Sequence, residues 1–150
     1  MGKDEFISCC RDYKENIVNM STIDFVKKIA AQCGWDKKKD EAGRRLLSDL
    51  KDALTRYNRM PVNCVLESLS NYSDSIIFIH CREPNEIEYL KSKIGATTLL
   101  ITNNNTKNIV GNHADKNVFN FEYDYVVDNS GTLEDLEKSA IIFLEWMENR

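Results

Sequence analysis

Residues 74–103 read DSIIFIHCREPNEIEYLKSKIGATTLLITN, an apolar run, an amphipathic run and a second apolar run. Ser75 to His80 (SIIFIH) is β-branched and aromatic, too short for a helix and apolar on both faces, the pattern of a strand covered by helices on each side. Glu83-Pro84-Asn85-Glu86 opens a helix, because proline is tolerated in the first turn and carboxylates complement the positive helix end. Ile87, Leu90 and Ile94 then share one face until Gly95 stops it. Thr97 to Thr102 (TTLLIT) is a second β-branched run. Two buried strands joined by one helix predict a right-handed βαβ crossover with parallel strands, and with it an α/β fold.

Upstream, Met1-Gly2-Lys3-Asp4-Glu5-Phe6-Ile7 reads straight into a helix: Phe6, Ile7, Cys10 and Tyr13 recur at helical spacing behind the first-turn acids Asp4 and Glu5. Ile17-Val18 marks a brief strand. Ser21 or Thr22, followed by Asp24, is expected to cap a helix that turns Phe25, Val26, Ile29, Ala30 and Cys33 inward and ends at Gly34. Beyond the charged connector at 36–40 (DKKKD), Leu46, Leu47, Leu50, Ala53, Leu54 and Tyr57 mark a longer amphipathic helix, and Pro61 starts another with Val62, Val65, Leu66 and Leu69 inward. The two tryptophans, Trp35 and Trp146, are expected to cover helix faces.

Downstream, residues 103–117 (NNNTKNIVGNHADKN) form a polar, asparagine-rich loop after a strand, where α/β proteins border ligand crevices. Tyr123 to Val127 (YDYVV) predicts a last strand, Asp128-Asn129-Ser130-Gly131 a turn, Thr132 a cap and residues 133–147 a final helix. The expected architecture is one α/β domain over 1–150. It has a short, mostly parallel sheet with strands near 17–20, 75–80, 97–102 and 123–127, and a helical insertion at 22–72.

A net charge of −4 without a concentrated basic face argues against nucleic acid or an acidic membrane surface as partner. Five cysteines (Cys9, Cys10, Cys33, Cys64, Cys81), odd in number and without CxxC spacing, predict free thiols and a cytoplasmic setting, with no metal site indicated. No window approaches about 18 uninterrupted apolar residues, so a membrane span is not expected. His80 and Cys81 are neighbours whose side chains would point to opposite strand faces, which favours core packing over a nucleophile pair.

Gly2-Lys3-Asp4, opening an amphipathic helix, matches the last third of a phosphate-cradling loop, in which backbone N–H groups, a lysine and a helix N-terminus converge on an anion. GKDEFI at the start, DEAGRRLLSDLKDALTRYN from Asp40, IIFIHCREPNEIEYLKSKIG from Ile76 and YDYVVDNSGTLEDLEKSAIIFL from Tyr123 occur in the order found in P-loop nucleotide kinases. The chain resembles the nucleoside and deoxynucleoside monophosphate kinase type, whose small members have a loop ending in SGKD. That resemblance implies a three-layer P-loop kinase-like fold and an ATP-dependent phosphotransferase acting on a nucleotide or similar small acceptor, with ATP and Mg²⁺ as cofactors. It makes Gly2 and Lys3 donor-phosphate groups and puts Asp4 where a hydroxyl residue usually meets Mg²⁺. Glu5 follows where that subgroup often has threonine, so no metal ligand is assigned.

The same resemblance places Arg44 and Arg45 in the insertion that closes over the phosphate acceptor, where bidentate guanidinium contacts suit phosphate oxygens. The plain reading is a pair of solvated arginines opposite Leu46 and Leu47. Arg82, just beyond a strand's carboxyl end, is either a ligand group or the ion-pair partner of Glu83 or Glu86. Lys107, Asn112, His113 and Asp115 lie where the family has a lid or base-side loop, or form an ordinary surface loop.

A complete phosphate loop also needs an apolar strand and a glycine-rich turn ahead of Gly2-Lys3, and only Met1 stands there. The resemblance is therefore to an N-terminally truncated domain, lacking the first strand and most of the loop. In the resembled kinases that strand is the central one of the sheet. ATP binding is expected to be weak or absent. The alternatives are a non-catalytic protein that binds a small phosphorylated ligand, and a homo-oligomeric α/β protein in which a partner chain fills the gap.

Overall fold

The β-branched runs become strands and the amphipathic stretches between them become helices in a computed structural model that describes residues 2–105 and 117–150. In chain order these are α1 (Gly2–Tyr13), β1 (Ile17–Ser21), α2 (Asp24–Gln32), α3 (Glu41–Asn58), α4 (Met60–Ser68), a 3-10 turn (Leu69–Tyr72), β2 (Ile76–His80), α5 (Pro84–Ile94), β3 (Leu99–Thr102), β4 (Tyr125–Asp128) and α6 (Leu133–Glu148). The protein is thus of mixed α/β character. The chain divides into two compact units, Met1–Val18 with Arg82–Arg150, and Asn19–Cys81, and the helical insertion expected at 22–72 falls in the second.

Strand pairing departs from expectation. Among the described residues the strands form two ladders, β1 with β2 and β3 with β4, in place of one four-stranded sheet. A crossover helix constrains the hand of a connection but not adjacency, and β1 takes β2, the strand at the far end of the helical insertion, as its partner. β3 and β4 run parallel with Leu99 opposite Tyr125 and Thr102 opposite Asp128. In the other ladder Thr22 N and Ser21 Oγ both donate to His80 O, which puts the carboxyl ends of β1 and β2 at the same edge.

The first unit is built around aromatic packing. Phe6 of α1 and Phe143 of α6 are buried and meet edge to face at 5.7 Å, and Tyr125 of β4 packs on Phe143 at 5.1 Å and on Trp146 at 4.7 Å. Such pairs add about 0.5–1.5 kcal/mol each beyond the area they bury. Lys14 and Glu148 form an ion pair between the carboxyl ends of α1 and α6. Thr132 caps α6 in a capping box: its side chain accepts from Asp135 N and the Asp135 carboxylate accepts from Thr132 N. Tyr13 and Ile94, expected inward, are 48% and 44% exposed, each in the last turn of its helix.

In the second unit Val26, Ala30 and Leu47 are buried between α2 and α3, with Ile23, Trp35, Leu50 and Leu54 packed against them. The inward face of α3 is narrower than its apolar pattern, because Leu46, Ala53 and Tyr57 lie on the solvent side, Tyr57 being 87% exposed. Asp40 caps α3 by accepting from Gly43 N at 2.8 Å. Neither Ser21 nor Thr22 caps α2: Ile23 holds that position without a side-chain cap, and the Asp24 carboxylate accepts from Ser21 N instead.

β3 and β4 each begin two residues later than their apolar runs, and one carboxylate explains both. Asp124 Oδ2 accepts from Thr98 N and Thr98 Oγ1 at 2.9 Å each, its backbone N–H donates to Thr98 Oγ1, and its Oδ1 accepts from Lys91 Nζ of α5 at 3.1 Å. Side chain–backbone bonds thus replace ladder bonds at this edge. The Thr98 N–H, then the Thr98 hydroxyl and Lys91, outweigh partial burial and hold the Asp124 carboxyl down at about 2. An unfolded-state value near 3.9 means that this stabilisation is fully present above about pH 4 and is lost as pH falls through about 2. Asp124→Asn is expected to cost roughly 1–2 kcal/mol near neutrality after solvent screening. In urea unfolding across pH 2–6, the gap between wild type and variant should narrow below about pH 4; a gap independent of pH would contradict the assignment.

Candidate functional site

The apolar stripe of α1 fixes where the helix begins. Phe6, Ile7, Cys9 and Cys10 are buried, and α1 packs along α6 and over β3. Its first residue, Gly2, thereby abuts the carboxyl-terminal edge of the β3–β4 ladder: a Cβ there would stand 2.7 Å from Asn129 Nδ2 and 3.4 Å from Ile101 Cγ2. Only glycine allows this approach without displacing the amide. The first-turn N–H groups of a helix have no partner within it, and its positive end attracts anions. The carboxyl edge of an α/β ladder is also where ligands are held.

Around that helix start the loops after β3 and β4 are tied together. Asp128 accepts from the N–H and hydroxyl of Ser130, Asn104 N donates to Ser130 Oγ at 2.9 Å, and Asn105 Nδ2 donates to Ser130 O at 2.7 Å. Asn129 N donates to Thr102 O at 2.7 Å, continuing the ladder by one residue. The result is a polar rim of Asn103, Asn104, Asn129 and Ser130 beside the start of α1. Ser130 and Asn129 were legible only as turn formers, through the Asp-Asn-Ser-Gly pattern, and not as groups that shape a site.

The expected donor-side residues Gly2, Lys3 and Asp4 are therefore together at this edge, Lys3 half-buried and Asp4 exposed. Asp4 and Glu5 are both exposed, and consecutive helical residues diverge by about 100°, so their carboxylates do not converge on one magnesium ion. Among the described residues no group of three or more His, Cys, Asp or Glu is arranged to hold a metal.

The arginines are placed differently. Arg44 and Arg45 are exposed on the first turn of α3, in the second unit, and Arg45 Nε lies 3.9 Å from Asp49 Oδ2, the geometry of a solvated i,i+4 pair. Arg82 is exposed in the connector that follows β2. Lys107, Asn112, His113 and Asp115 lie outside the described residues.

Cysteine chemistry finds no support on α1. Burial pushes the Cys10 thiol up to about 12, and burial followed by the nearby Glu137 and Asp12 carboxylates raises that of Cys9, which leaves both unreactive thiols at neutral pH. Cys64 is raised as well, by burial first and then by Glu67. His80 and Cys81 are half-buried.

A shallow recess of about 470 Å³ opens at the opposite, amino-terminal edge of the same ladder, lined by Lys91, Gly95, Ala96, Thr97, Asp124, Met147 and Arg150. Its cations are engaged: Lys91 by Asp124, and Arg150 by the Thr97 hydroxyl at 2.9 Å and by the Trp146 ring at 4.8 Å. The recess and the helix start thus lie at different ends of the ladder, and the helix start is the better candidate for an anion, because a helix N-terminus and a ladder's carboxyl edge coincide there.

Comparison with protein-family models, with curated proteins and with solved structures finds no match. No helix among the described residues is long and apolar enough to cross a membrane.

The contact at Gly2 can be measured. Alanine is the better helix former by up to about 1 kcal/mol, but its methyl would displace the Asn129 amide. Gly2→Ala is expected to be neutral or destabilising in the wild-type background and stabilising once Asn129 is Ala, with a coupling of about 0.5–1 kcal/mol in a denaturation cycle. Additive effects would show that the two residues do not meet.

Proposed function

We propose that this chain is a nucleotide-kinase-like domain that binds a small phosphorylated ligand at the start of α1, with Gly2 and Lys3 on the donor-phosphate side. The observation that carries this reading is the seating of α1 with its first turn at the carboxyl edge of a parallel ladder, where Gly2 lies close against the Asn129 amide. Phosphoryl transfer relies on positioning and charge neutralisation. The reaction proposed is transfer of phosphate from ATP to a nucleotide or similar small acceptor, with weak binding of ATP expected from one helical turn and one lysine. A second reading is a non-catalytic phospholigand-binding protein, in which Gly2 and Lys3 hold a phosphate without transferring it.

Calorimetric titration with Mg-ATP should give a Kd of roughly millimolar or weaker, about −4 kcal/mol, and Lys3→Gln should weaken it by about tenfold. Micromolar binding would contradict that expectation of weak binding, and an unchanged affinity in the lysine variant would remove Lys3 from the site. ADP release in a coupled assay separates the kinase reading from the binding reading.

Arg44 and Arg45 are the proposed acceptor-side groups. Replacing both by Ala should change stability by no more than about 0.5 kcal/mol, because they are exposed. The same variant should lower affinity for a nucleoside monophosphate in a competition assay. Unchanged affinity would return them to the solvated face of α3.

A further inference from the structure

We draw no further inference here: the strongest candidate, the edge of β3 (Leu99–Thr102) that is not paired with β4, is an apolar strand edge of the kind that accepts an added strand, but nothing in the structure shows what covers it.

Discussion

Burial of one face of α1 is the constraint on which the first unit depends. Phe6 against Phe143, and Phe143 against Tyr125, join a helix from the start of the chain to a helix and a strand from its end. Those contacts span nearly the whole sequence, so their loop-closure entropy must be offset by aromatic burial before the short β3–β4 ladder becomes worthwhile. A two-stranded ladder alone is marginal in water. With α1 and α6 packed beside it and Asp124 bonding its amino-terminal edge to α5, it becomes a fixed platform.

Packing then sets the electrostatics. Because Phe6 and Cys10 must face inward, the first turn of α1 has nowhere to go except the carboxyl edge of the ladder, and Gly2 makes room for Asn129. The same turn carries Lys3, Asp4 and Glu5. Two exposed carboxylates partly neutralise the helix end that would draw in a phosphate, as they do at ordinary structural helix starts. In the proposed site an anion would meet local backbone N–H groups and one lysine against a net charge of −4, which sets the expectation of weak affinity.

Much of the fold was legible in the residues. Length and periodicity located every strand to within two residues, and Gly95, Pro61 and Thr132 marked helix ends as their backbone chemistry requires. Pairing was not legible, because the partner of an apolar strand is chosen by three-dimensional packing and the run itself carries no address. The strand starts were missed for a related reason: Thr98 and Asp124 look like strand residues, yet spend their donors and acceptors on each other. On α3 the apolar count exceeded the buried face, since Leu46, Ala53 and Tyr57 project to solvent. At the candidate site, the sequence singles out Gly2 and Lys3, and the fold brings them to the ladder's carboxyl edge. It does not single out Asn129 and Ser130, since a turn sequence says nothing about which distant helix its side chains will touch.

Arg44 and Arg45 show the limit of reading function from composition alone. A double arginine suits a phosphate, but Arg45 is placed as a surface partner of Asp49, and only affinity data distinguish the two roles. The start of α1 is different, because a close backbone approach and a ladder edge coincide there. Amide chemical-shift mapping with inorganic pyrophosphate tests that coincidence most directly. Saturable shifts should concentrate at residues 3–6 and at Asn129 and Ser130; shifts confined to the recess around Thr97 and Arg150, or none at the helix start, would contradict the account.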